Sequence, residues 1–318
     1  MAPRESRHRA RRVELSAAEF DQLFQELSNW GRWDVRPELG ALHYITPERI
    51  AVAARLVDRG ATVSLGRTLN THGGIDNPEP AHHRMTLLPD VDVGSGSLRF
   101  TKDYVGVDYH NEGHSHVDAL CHVAYEGMFY GGVPDTQVTS EGASADAIDL
   151  LRDGLVGRGV LLDIPRLRGV RWLEPGEHVF RHDLEAAERA QGVSVEAGDI
   201  LLVRTGHALR LSAVKPWDTS KHKVGLHPSA ARFLAERQVA ALGSDGNNDT
   251  APCTTEGIAF PIHVLAINAL GMHLLDYLQF EDLVPLCEAA ERWEFLFVAS
   301  PLRIVGGTGS PVNPVAIL

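Results

Sequence analysis

Between His110 and His122 the chain reads His-Asn-Glu-Gly-His-Ser-His-Val-Asp-Ala-Leu-Cys-His, four histidines and two carboxylates in thirteen residues. Imidazole is the commonest protein ligand for a transition metal, and nitrogen with carboxylate oxygen suits zinc, manganese or iron. An extended strand alternates its side chains between two faces, so His110, Glu112, His114, His116 and Asp118 are expected on one side. Burying such a row is costly unless a cation or a hydrogen-bond network compensates it. A solvated polar strand face, the structural alternative, needs no such density of ligands. The chemistry implied is that of a bound divalent cation, which polarises a carbonyl and brings the pKa of water toward neutrality. His122, four residues beyond Asp118, can turn toward that water as general acid or base. Its structural alternative is a histidine that only orients Asp118.

Other segments offer weaker chemistry. Asp245, in Gly243-Ser-Asp-Gly-Asn-Asn-Asp249, ends an expected strand, where α/β proteins place site residues, but a turn-capping Asp explains it equally well. His72, His82 and His83 fall in a loop and either line a pocket or are simply solvated. Gly306-Gly-Thr-Gly-Ser310 lacks the Lys of a phosphate loop and no helix follows it, so a tight turn is expected. Cys121 points to the opposite strand face and reads as core.

The elements that must position these residues are legible in outline. Ser16 and Glu19 form a capping-box pair, with Phe20, Leu23, Phe24 and Leu27 at helical spacing behind them. Thr46 and Pro47 open a second helix expected to run to Gly60. Thr68 to Asp90 is rich in Gly, Asn, Pro and His and reads as a long loop. Leu98 to Asp118 reads as strand, as do the short apolar runs Gly159 to Ile164, Ile200 to Arg204, Val239 to Gly243 and Glu294 to Ala299. Helical patterns fall between them at Asp183 to Gln191, Pro228 to Arg237, Ile262 to Leu270 and Glu281 to Ala290. The alternation predicts an α/β fold, a mixed sheet with flanking helices. No repeat or linker divides the chain, so residues 13–318 are expected as one domain with an N-terminal helical extension, preceded by a disordered basic tail over 1–12.

Composition sets the outer bounds. With 318 residues, 44% hydrophobic and 23% charged, the chain can bury a sizeable core. A net charge of -12 argues against nucleic acid or an anionic membrane as partner, and the one basic cluster, Arg4 to Arg12, has no apolar stretch behind it. No signal peptide or membrane-spanning segment is expected. Three scattered cysteines, Cys121, Cys253 and Cys287, cannot make a disulfide framework and fit a reducing cytoplasm.

The run His116-Val-Asp-Ala-Leu-Cys-His122 resembles the signature of the putative cyclase family, which includes bacterial kynurenine formamidase and isatin hydrolase and reads His-x-Gly-Thr-His-x-Asp-x-Pro-x-His. The second His, the Asp and the last His of the pattern match His116, Asp118 and His122. Ser115, His114 and Leu120 stand where the pattern has Thr, Gly and Pro, and Glu112 where it has its first His. Either Glu112 or His110 then supplies that ligand. The blocks Gly40 to Glu48, Gly198 to Gly206 and Gly306 to Pro314 resemble those of longer bacterial family members.

The resemblance implies that His263 and Asp276, which by their apolar surroundings alone read as hydrogen-bonded core residues, complete a site holding one or two zinc or manganese ions, with Asp118 bridging where there are two. It also implies a swivelling β/β/α architecture, a homodimer or homotetramer, and His122 as proton carrier. The expected activity is hydrolysis of an amide, lactam or lactone carbonyl in a small molecule. A metal-dependent cyclase, dehydratase or isomerase, and a non-catalytic metal or ligand binder, are the alternatives from other classes.

Overall fold

The computed structural model describes residues 14–94 and 96–318. The basic cluster and the tail assigned to 1–12 lie outside the described residues. The apolar runs assemble into one nine-stranded mixed sheet. Its strands in chain order are β1 (Thr62–Ser64), β2 (His116–Asp118), β3 (Leu155–Asp163), β4 (Ile200–Arg204), β5 (Ala241–Ser244), β6 (His273–Asp276), β7 (Glu294–Ala299), β8 (Gly309–Pro311) and β9 (Val315–Ile317). They lie in the order β1-β9-β7-β3-β4-β5-β6-β2-β8.

The four central strands, β3 to β6, are parallel neighbours, and antiparallel strands flank them on both sides. Parallel pairing requires crossovers, and helices make them: α3 (Arg181–Gln191) lies between β3 and β4, and α4 (Ala231–Glu236) between β4 and β5. Covered on both faces, β4 and β5 are buried at every residue, which is why their sequences are continuously apolar rather than alternating. The α/β class with a mixed sheet and flanking helices is the one expected. At the C-terminal ends of β3 and β4, Arg204 donates to Asp163 at 2.9 Å and to Glu281 at 3.0 Å, so a buried charge is paired rather than stranded.

The first helix, α1 (Ala17–Leu27), carries the capping box at Ser16 and Glu19 and buries Phe20, Leu23, Phe24 and Leu27. The second, α2 (Pro47–Ala54), begins at the expected Thr46 cap but stops six residues short of Gly60. Only Ala53 of its residues is buried, so no apolar stripe sustains further turns. Near these helices Gly40, with a φ of +51°, lets the chain pass against Gly271, whose carbonyl oxygen would lie 2.3 Å from any Cβ there.

Three elements differ from expectation in ways that bear on the site. Leu98 to Asp118 is not one strand: Lys102–Gly106 pairs with His82–Leu87 in a separate hairpin, and only His116–Asp118 enters the main sheet. The interruption has a local cause. The Asn111 side chain accepts from Gly113 N at 2.7 Å and donates to the Asp108 carbonyl, closing a turn, and a Cβ on Gly113 would lie 2.1 Å from Asn77 Oδ1. The loop expected over Thr68 to Asp90 therefore contains a strand, placing His82 and His83 on an exposed hairpin where His83 pairs with Asp103 at 3.1 Å. Finally, Ile262 to Leu270 is a single α-turn, Pro261–His263, followed by a π-helical stretch, Val264–Ala269. Such widened turns are frequent at functional sites. Among the described residues no helix is long and apolar enough to cross a membrane.

Candidate metal centre

Strand β2 runs antiparallel to β6 with His116 directly opposite Asp276. Opposed residues share a face, and so do residues two apart on one strand, so His116, Asp118 and Asp276 project to the same side of the sheet. Their ligand atoms lie within 4.8 Å of one another, and a second set, His110, Asp118 and His122, is equally close. Asp118, fully buried, belongs to both.

His263 reaches the same point from the turn after β5. Asp249 accepts from the backbone N–H groups of Ile262 at 2.7 Å and His263 at 3.0 Å, and lies 2.6 Å from His263 Nδ1. One carboxylate thus caps the turn and fixes the ring, leaving Nε2 3.5 Å from both Asp118 Oδ2 and Asp276 Oδ2. His116 and His110 follow the same rule, in which one ring nitrogen is tied to the protein and the other is free to ligate. His116 Nδ1 bonds the His114 carbonyl at 2.9 Å, leaving Nε2 3.6 Å from Asp118 Oδ1. His110 Nε2 bonds Thr308 Oγ1 at 3.1 Å, leaving Nδ1 3.0 Å from Asp118 Oδ1. His122 Nε2 stands at 4.0 Å.

Neither carboxylate oxygen of Asp118, nor His110 Nδ1, has a partner with hydrogen-bond geometry, although all are buried. Asp118, Asp249 and Asp276 converge on these rings, and none of them pairs with a Lys or Arg among the described residues. Buried anions without a compensating cation are unfavourable, so a nitrogen and oxygen donor set of this kind fits a divalent ion. Asn247 and Asn248 each donate to Asp276 at 2.5 Å, orienting that carboxylate as well.

Burial opposes ionisation of Asp118, but the imidazoles of His122, His110 and His116 outweigh it and hold the carboxyl below its ordinary range. Burial pushes His122 down to about 4; Asp118 pulls the other way, while His110, His263 and His116 reinforce burial. The ring is therefore neutral near pH 7 and able to accept a proton. His110, His116, His122, His263 and Asp276 line a cavity of about 370 Å³ whose remaining walls include Val123, Ile258, Phe260 and Val264.

The structure brings together His110, His116, Asp118, His122, His263 and Asp276. It separates two members of the expected strand row. Glu112 lies outside both ligand sets and pairs with Lys223 at 3.4 Å, and His114 turns away to bond the Glu79 carbonyl at 3.3 Å. The turn that breaks the strand removes the alternation on which that row depended, and His110 arrives through the turn instead. Asp245 is a cap: it accepts from Thr205 N at 2.7 Å, Gly206 N at 2.8 Å and His207 N at 2.9 Å. Cys121 is core, its thiol pushed up to about 12 by burial. His72 is exposed and lines none of this cavity. Asp249, Asn247, Asn248 and Thr308 also reach the site without a local signal of their own, although the first three stand in the same strand-ending run as Asp245.

A model of the family described as Putative cyclase matches residues 43–248. A comparison with curated proteins finds no match. Among solved structures, a crystal structure of a novel cyclase is 32% identical with a TM-score of 0.84, covering 93% of this chain and 99% of its own. Isatin hydrolase A from Labrenzia aggregata, bound to benzyl benzoate, is 20% identical with a TM-score of 0.59, covering 84% and 95%. Isatin hydrolase A from Ralstonia solanacearum is 22% identical with a TM-score of 0.58, covering 85% and 97%.

Proposed function

The chain belongs to the putative cyclase family, and from that premise we propose that it is a metal-dependent hydrolase acting on an amide, lactam or lactone carbonyl of a small molecule. The observation that carries the reading is Asp118: a buried carboxylate with no hydrogen-bond donor on either oxygen, faced by ring nitrogens of His110, His116 and His263 at 3.0 to 3.6 Å. We assign His116, Asp118, His263, Asp276 and His110 as the residues that would hold zinc or manganese, one or two ions, with Asp118 shared between them. A divalent ion there supplies Lewis acidity, polarising a carbonyl and lowering the pKa of water.

The chain's own groups divide the remaining work. His116 and Asp118 are fixed by the β2 backbone, and Asp249 fixes His263, so the donor set is preorganised. His122 faces the cavity with a neutral ring, suited to taking a proton from water at Nε2 and passing it to the leaving nitrogen or oxygen. The apolar walls at Val123, Ile258 and Phe260 receive the body of a small substrate and exclude water. That isatin hydrolases share the fold supports a carbonyl adjoining a ring as substrate type.

The test is turnover of isatin, N-formylkynurenine and simple lactones with and without added zinc or manganese, alongside metal analysis of the purified protein. Metal-stimulated hydrolysis of any of them is the expected result. A metal-free protein, purified without chelator and inactive on the panel, overturns the reading.

A further inference from the structure

The cavity that receives the histidines is also lined by Glu112, Lys223 and Tyr277, three residues with no part in holding a metal ion in the reading above. Lys223 is buried, 4% exposed, with Nζ 3.4 Å from Glu112 Oε1 and 5.1 Å from the centre of the Phe260 ring. An ammonium has three N–H donors, and this long contact with Glu112 occupies one of them. Tyr277 is 2% exposed, and its hydroxyl has no hydrogen-bond partner.

Its placement is not loose. The backbone N–H donates to the Gly246 carbonyl at 2.9 Å, and its own carbonyl accepts from Ser115 Oγ at 2.6 Å. The ring packs against the Arg67 guanidinium at 5.1 Å. Arg67 itself donates to the carbonyl oxygens of Asp245 at 2.7 Å and Glu112 at 3.4 Å, and no carboxylate lies within ion-pair reach of it among the described residues. The buried Lys223 thus has one carboxylate at long range, Glu112, and the part-buried Arg67 beside Tyr277 has none. A buried hydroxyl left unmade costs free energy, and so does a buried cation without its counter-ion, unless a ligand completes them.

We propose that Lys223 and Tyr277 form an anion-recognising subsite that takes a carboxylate carried by the substrate at a position away from the bond to be cleaved. The ammonium supplies its remaining N–H donors and the phenol its O–H, while Phe260 and Ile258 hold the apolar part between this wall and the histidines. In the free protein Glu112 holds the lysine in place. The substrate is then a small, anionic carbonyl compound rather than a neutral one. The inference rests on the hydrolase reading for its substrate, but its binding test needs no turnover, so the two fail separately.

Benzenesulfonate is a suitable probe because sulfonates ligate metals weakly, and methyl phenyl sulfone is its neutral counterpart. Titration calorimetry at pH 8 on the protein as purified is expected to show the anion binding about tenfold or more tighter than the sulfone. Lys223→Met should abolish that preference. Tyr277→Phe should weaken the anion about three- to tenfold, and Glu112→Gln, which removes the competing carboxylate, should tighten it. Metal content is measured on each variant, since its retention separates loss of this subsite from damage to the metal centre. If Lys223→Met fails to fold with Glu112 left unpaired, the double variant Lys223→Met with Glu112→Gln removes both charges together and makes the same test. Equal affinity for the two probes in the wild type, binding of neither, or an anion preference that survives the loss of Lys223 overturns the proposal.

Discussion

The imidazole of His122 lies flat on that of His110, ring centroids 3.9 Å apart and planes within 8°. The stack gives the two rings unequal access to Asp118: His110 Nδ1 is 3.0 Å from Oδ1, whereas His122 Nε2 stands back at 4.0 Å. In the proposed function the nearer ring ligates and the farther one handles protons.

His122→Ala is therefore expected to keep most of its metal while turnover falls roughly 10²- to 10⁴-fold, the usual worth of a positioned acid or base. The loss should appear in kcat with a flattened pH profile. Restoration of wild-type turnover by excess zinc or manganese would show instead that His122 serves metal affinity.

Removing a member of the donor set should act on metal content directly. His116→Ala and Asp118→Ala are expected to lose bound metal, because an incomplete set of ligands cannot hold the ion. His110→Ala should weaken metal binding more than Glu112→Gln, since Glu112 is engaged with Lys223. Elemental analysis of the four proteins decides, and a metal-free Glu112→Gln protein beside a fully loaded His110→Ala protein would reverse the assignment.

Asp249 never faces the ion in this reading, yet it fixes His263 by two contacts, 3.0 Å from its N–H and 2.6 Å from Nδ1, and holds Ile262 N at 2.7 Å. Asp249→Ala should lower metal affinity by about 10- to 100-fold. Unlike the His122 variant, it should regain activity when metal is added in excess, as a competition titration with a chelator would register.

Stability should carry its own pH signature away from the site. Asp146 is 4% exposed with Oδ2 unpartnered, and burial, aided by the charge of Glu38, pushes its carboxyl up to about 7. A carboxyl that binds its proton more tightly when folded contributes stability that is complete below about pH 4 and is lost as pH rises through about 7. Asp146→Asn keeps the neutral shape and accepts the left-handed φ of +56°. The variant should be more stable than wild type at pH 8 by about 1 to 3 kcal/mol, with the difference shrinking at pH 5. Urea unfolding that gives the same difference at both pH values would contradict the buried, protonated carboxyl.

The sequence alone carried the ligand types, the strand face and the fold class. His116 and Asp118 share a face because a strand repeats every two residues, and α1 follows from its capping box and apolar stripe. Those are local rules, written within a few neighbours. His263 and Asp276 were reached through family resemblance, because nothing local distinguishes them from core residues.

Only the tertiary structure decided which of His110 and Glu112 approaches Asp118. The Asn111 turn, held by contacts to Asp108, Gly113 and Glu79, breaks the strand and rotates one residue in and the other toward Lys223. Thr308, Asp249 and Lys223 likewise come from distant stretches of chain that meet only when β2 seats between β6 and β8. Short-range periodicity determines the direction of a side chain along its own strand. Which distant group that side chain meets is fixed by sheet order and by turns whose hydrogen bonds span tens of residues, and no single segment of the sequence contains both partners.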